Sequence, residues 1–169
     1  MLHEQGVEKT TLADIARAAD VPVGNVYYYF KTKDQLIEAA IEEHGHHLDQ
    51  MIQAMEGLAT PQERLKALIQ GWIGESDLTA RYGCPTGTLA AELDKRDDGL
   101  DRAIAGVMGR LLDWVQGQFA AMGRPDAREL AVALFAAYQG AALLTNTFRD
   151  PGLMRTEGHR LERWIDSLA

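Results

Sequence analysis

The residues best equipped for binding chemistry lie between positions 21 and 36, VPVGNVYYYFKTKDQL. Tyr27, Tyr28 and Tyr29 stand in a row, each with a ring that packs and a hydroxyl that hydrogen-bonds. Phe30 follows, then Lys31 and Lys33. Taken singly, such aromatics are ordinary packing and such lysines ordinary solvated charge. Together they offer hydroxyls and cations within one short segment, the chemistry that holds a polyanion.

Two other clusters invite chemistry. Cys84, in YGCPTGT, precedes Pro85 and a predicted helix start, where the helix terminus favours a thiolate. That position suits redox or electrophile sensing, or merely a small residue at a helix start. The chain has one cysteine, so no resolving partner exists. In HGHH, His44 and His47 are three apart and Glu43 and His47 four apart, which gives a two-point metal site with no third ligand. A solvated surface, with His44 in an apolar stripe, is the better reading, and no metal is expected. There is no Gly-rich phosphate loop and no nucleophile with a base in motif. The expectation is therefore a non-enzyme without a cofactor.

The elements that must position these residues are helical. Proline is scarce, strand-like alternation does not persist, and apolar residues recur at helical spacing. Thr11 caps a predicted helix running to about Ala19, with Leu12, Ile15 and Ala16 inward. Asp20 stands where positive φ is needed, which Asp tolerates better than most residues. A second short helix is expected from about Val23 to Tyr29, with Val21 and Val26 filling the space between the two. Thr32 with Gln35 and Thr60 with Glu63 read as capping boxes, and Asp126 with Glu129 as a third. Gly123 is placed to end a helix. Apolar stripes run from Ile37 to Met55, Leu65 to Ile73, Leu100 to Phe119 and Leu161 to Leu168, and a shorter helix is expected from about Cys84 to Arg96. The expected fold class is all-α, two short helices followed by six longer ones.

Composition bounds the function. The 169 residues suit one domain, or a small one joined to a larger one, and 46% hydrophobic content supports a core. The net charge of −8 repels nucleic acid overall, so any such contact must be local. MLHEQGVEKTT lacks the pattern of a signal peptide, and a lone cysteine fits a reducing compartment. The stretch from Leu130 to Phe148 is uncharged and nearly long enough to span a bilayer. Gln139, Thr145, Asn146 and Thr147 favour instead a helix buried on nearly every side, in a bundle or subunit interface.

Residues 10–42, TTLADIARAADVPVGNVYYYFKTKDQLIEAAIE, resemble without a gap the DNA-binding signature of the TetR family of transcriptional regulators. The order of turn, recognition helix, aromatic cluster, FKTK and long connecting helix is the family's. The resemblance implies a helix-turn-helix whose recognition helix enters the major groove. It places Val23, Gly24 and Asn25 at base edges: Asn25 suits adenine, Val23 a thymine methyl, and Gly24 lets backbone approach. Tyr27, Tyr29, Lys33 and Thr11 would meet phosphates. Phe30 turns inward and Tyr28 is expected to be partly buried. The family carries a helix before this unit, and residues 1–11 resemble only its tail. Roughly fifteen or more residues completing the three-helix unit are expected ahead of Met1. Residues 1–34 hold four basic groups against five acidic ones, weak for a DNA reader.

The expected division is a helix-turn-helix domain over 1–45 and an effector-binding and dimerisation domain over 46–169. Trp72, Cys84, Met108, Trp114, Phe135 and Tyr138 are expected around an effector pocket for an apolar or aromatic molecule. Ala136 and Gly140, small and four apart, with Leu161, Trp164, Ile165 and Leu168, are expected at a homodimer seam. The implied function is a cytoplasmic, dimeric repressor on palindromic operator DNA, released by a small effector. The alternative is a dimeric small-molecule-binding module without DNA binding.

Overall fold

The computed structural model describes residues 1–96 and 99–168, and all its regular structure is helical. Ten helices follow in order among the described residues: α1 (Leu2–Gln5), α2 (Leu12–Ala18), α3 (Val23–Tyr29), α4 (Lys33–Glu56), α5 (Pro61–Gly74), α6 (Ser76–Tyr82), α7 (Pro85–Leu93), α8 (Leu100–Ala121), α9 (Ala127–Phe148) and α10 (Pro151–Asp166). The two short helices and six longer ones expected from the sequence are present. The single turn α1 and the seven-residue α6 are additions.

Local chemistry sets most helix starts. The Thr11 hydroxyl accepts from the Asp14 N–H while Asp14 reaches back to the Thr11 N–H. Thr60 and Glu63 form the same reciprocal box, with Pro61 at the first helical position. Losing such a cap costs about 1 kcal/mol. Thr32 caps α4 through the Gln35 N–H, but Gln35 Oε1 takes the Lys31 N–H, one residue beyond the expected partner. Asp126 does not cap α9. Its carboxylate is gripped by two nitrogens of Arg124, at 3.0 and 2.9 Å. Asp20 takes φ +54° between α2 and α3, as the turn requires.

Three apolar clusters hold the chain together. The largest joins α5, α8, α9 and α10 around Leu65, Ile69, Phe119, Leu134 and Ile165. Close approach of α10 to α5 depends on Gly158, where a Cβ would stand 2.5 Å from Ile73. A second cluster joins α4, α7 and α8 through Ile37, Ile41, Leu93 and Ile104, and reaches Val7. The smallest is the helix-turn-helix core of Leu12, Ala16 and Val26, with Phe30 and Leu36 against it. Val21 is 40% exposed and does not fill that core. By length and composition α9 could cross a membrane. It packs instead against α6, α8 and α10 on one side. Its other side, with Val132, Leu143, Leu144 and Phe148, is exposed, so burial on both sides is not met within the chain.

Candidate functional site

α3 projects from the helix-turn-helix core with Val26 inward and nearly everything else outward. Pro22 precedes it, and Val23, Gly24, Asn25, Tyr27, Tyr28 and Tyr29 are all exposed. A Cβ on Gly24 would meet nothing within 4 Å, so internal packing does not require a glycine there. Tyr29 is 74% exposed, and Tyr28, expected to be partly buried, is 73% exposed. Tyr28 stands edge-on to Tyr29, with ring centroids 5.1 Å apart.

The two lysines are engaged by backbone. Lys31 Nζ donates to the Tyr27 and Tyr28 carbonyls at 2.9 Å, closing the C-terminus of α3, and lies 5.5 Å from the Tyr28 ring centroid. Cations at a helix C-terminus complement its unpaired carbonyls. Lys33 Nζ donates to the Val7 and Glu8 carbonyls at 2.9 and 3.3 Å, strapping the loop before α2 to the start of α4. The Thr11 hydroxyl donates to Asp14 Oδ2 at 2.6 Å, so its proton is already used in the cap. Either residue would have to share or exchange a partner to reach a phosphate.

The helix-turn-helix is also tied to the larger bundle. The Val7 N–H donates to Glu92 Oε2 at 2.6 Å, and Arg96 Nη2 donates to Asp34 Oδ1 at 2.6 Å. His3 Nε2 donates to the Gly83 carbonyl at 2.9 Å. Two of these ties come from the last turn of α7 and the residues just after it.

At its other end α7 meets a half-open cavity of about 580 Å³ bordered by α4, α5, α7, α8 and α9. Trp72, Cys84, Met108, Phe135 and Tyr138 line it, as do Met51, Leu111, Thr86, Gln139, His44, His47 and Glu75. Trp72 and Tyr138 stack at 4.1 Å, and Phe135 lies 6.3 Å from Tyr138. Trp114 does not line the cavity. Its indole N–H donates to Glu56 Oε1 at 2.7 Å, where α8 meets the end of α4. Cys84 is buried, and its sulfur accepts from the Gly87 N–H at 3.3 Å, capping α7. The Tyr138 hydroxyl donates to the same sulfur at 3.3 Å. Burial first, and then Cys84, push the Tyr138 phenol far above its ordinary value, so it stays a donor. Burial, and then the imidazoles of His3 and His47, hold the His44 pKa down. A smaller cavity of about 260 Å³ between α7 and α9 shares Cys84 and Gln139. No cluster of three or more metal-ligating side chains occurs among the described residues.

The expected seam residues divide. Ala136 and Gly140 lie on the exposed side of α9, among its exposed apolar residues. Leu161 and Ile165 are 2% and 0% exposed and belong to the chain's own core, so they cannot face a partner. Trp164 and Leu168 are partly buried against that core.

Residues 1–40 match the family described as bacterial regulatory proteins, tetR family. Residues 61–159, more than half of the chain, match the C-terminal domain of LmrA/YxaF-like transcriptional regulators. The chain belongs to the TetR family. Among relatives, AcuR of Cereibacter sphaeroides is 28% identical over 156 residues, covering 84% of this chain and 69% of AcuR. TtgR of Pseudomonas putida is 27% identical over 184 residues, covering 98% of this chain and 82% of TtgR. BetI of Rhizobium meliloti is 38% identical over 71 residues, 41% of this chain, and the match spans only 35% of BetI. The fold matches a TetR regulator of Legionella pneumophila with TM-score 0.86 at 16% identity, covering 98% of this chain and 89% of that one. A TetR protein of Rhodobacter sphaeroides matches with TM-score 0.83 at 24% identity, covering 96% and 91%. TetR-family proteins are DNA-binding transcriptional regulators, not enzymes. Sequence reasoning missed Glu75, Thr86 and Gln139 at the cavity. Gln139 carried a signal, as a polar residue inside an uncharged helix, whereas Glu75 carried none.

Proposed function

We propose that this TetR-family protein is a homodimeric repressor released from palindromic operator DNA by a small, largely apolar effector. The observation that carries the reading is the placement of α7. Its first residues, with Cys84 before them, line the cavity, and its last turn holds the start of the DNA-binding unit through Glu92. An effector that binds one position of α7 better than another shifts the population of DNA-competent dimers. α4 gives a second route, because it starts beside the helix-turn-helix and lines the cavity with His44, His47, Leu48, Met51 and Met55. Asn25 and Val23 on α3 face base edges, Gly24 leaves room for backbone, and Tyr27 and Tyr29 bond phosphates.

The test is fluorescence anisotropy of labelled DNA from the upstream region of its own gene, at two salt concentrations. Tight, salt-sensitive and sequence-selective binding is expected. Asn25→Ala should weaken it by about 1–3 kcal/mol and relax selectivity at one base pair. The excess of acidic over basic groups in residues 1–34 favours a second reading, a dimeric ligand-binding module without DNA binding. Absence of binding by the unmodified chain would support that one.

A further inference from the structure

The smaller cavity, of about 260 Å³, is an open groove between α7 and α9. Gly87 and Ala91 line it from α7, and Ala142 and Leu143 from α9. No Asp, Glu, Lys, Arg or His stands among its described lining residues. Its polar side chains already have partners within the chain. The Thr88 hydroxyl donates to the Cys84 carbonyl at 2.7 Å, and Asn146 Nδ2 donates to the Ala80 carbonyl at 3.2 Å. Gln139 Nε2 lies 3.8 Å from the Cys84 sulfur. Such a groove gains by covering apolar surface and offers little to a polar guest.

The groove continues the exposed apolar side of α9. Gln139, Leu143 and Asn146, at i, i+4 and i+7, border it, and the next stripe around the helix carries Ala136, Gly140, Leu144 and Phe148. Those four are exposed, as is Ala91 across the groove. A two-fold interface presents the same patch on both subunits. A face that carries both protruding apolar side chains and an apolar groove can therefore fill its own groove in a second copy. We propose that this groove is part of the dimer seam and receives an apolar side chain from α9 of a second copy, so that the seam holds α7 as well as α9. This rests on the homodimer reading. Glu92 in the last turn of α7 accepts the Val7 N–H at 2.6 Å, so closing the seam also fixes the helix that holds the start of the DNA-binding unit. Cys84 and Gln139 line the groove and the larger cavity alike, so occupants of the two lie against one shared wall and their affinities are reciprocally linked.

The test is sedimentation equilibrium of variants at Ala91, which lies on α7 and away from the exposed side of α9. Ala91→Trp fills the groove and Ala91→Glu places a charge in it. Each should raise the dimer dissociation constant roughly tenfold or more, with helix content by circular dichroism unchanged, because the position is exposed. A second measurement does not depend on disruption. The thiol of Ala91→Cys should react with a maleimide more slowly as the protein concentration rises through the dimer dissociation constant, while the buried Cys84 contributes little. If Leu143→Asp with Phe148→Asp breaks the dimer but the Ala91 variants associate as tightly as the unmodified chain, the seam stops at α9. The groove proposal is then overturned and the homodimer stands. A labelling rate independent of concentration overturns it likewise. If the unmodified chain is a monomer at all concentrations, the homodimer reading and the proposal fall together.

Discussion

At the scale of the residue, several groups have two masters. Thr11 and Lys33 were expected from the sequence to meet phosphates, yet each already satisfies a cap or local backbone, as Lys31 does. Sequence shows which groups a side chain offers but not which partner claims them first. His44 shows the same limit. Its place in the apolar stripe of α4 was legible, while its position at the cavity wall depends on α8 arriving opposite. Its titration has a worked consequence. Burial, His3 and His47 lower its pKa below 6.5, and Glu43 opposes them. The unfolded chain therefore binds the proton at higher pH than the folded one. The His44 contribution is fully present above the ordinary imidazole value and is lost as the pH falls from there through the lowered folded value. His44→Gln, which cannot charge, should lose less melting temperature than the unmodified protein between pH 7.5 and 5.5. Parallel losses for the two proteins in thermal unfolding curves would refute this.

At the scale of the element, helices announced by caps and apolar periodicity were legible, because both signals are local. α6 was not. Its buried residues are Ser76, Thr79 and Ala80, so it has no apolar stripe, and only Glu75 separates it from α5. Met108 lines the cavity and Trp114 does not, and spacing alone could not separate them, since Leu48 and Ala54 are also six apart on one helix and both line it. α7 was expected as a helix, but its tie to Val7, and that of Arg96 just beyond it to Asp34, arise from tertiary packing and left no trace in the sequence. Those ties make a prediction about the element. Glu92→Ala removes the acceptor of the Val7 N–H and should free residues 2–8 from α7, while Leu89 and Leu93 keep α7 in the core. Amide exchange should accelerate in residues 2–8, and operator affinity should fall, with exchange in α9 and α10 unchanged. Uniform acceleration across the bundle would mean that Glu92 is merely a stability residue.

At the scale of the whole molecule, the amphipathic pattern of α10 was legible but its destination was not. An apolar stripe looks the same whether it faces its own core or a second chain, and Leu161 and Ile165 face their own. The uncharged length of α9 carried the better signal. One of its sides is buried by Leu134, Tyr138 and Ala141, and the other leaves Leu143 and Phe148 each 67% exposed. Contiguous apolar exposure of this kind marks an interface, and a two-fold dimer brings two recognition helices to the two halves of a palindrome. In the proposed dimer, Ala136 and Gly140 on that side, small and one turn apart, would let two α9 helices approach closely. Leu143→Asp with Phe148→Asp should therefore yield a monomer by analytical ultracentrifugation, with little change in helix content, because both side chains lie outside the core. Operator affinity should fall far more than through loss of any single contact, since each half-site would then be bound alone, without the gain in effective concentration that linkage supplies. A double variant that remains dimeric would place the seam on another face of the bundle.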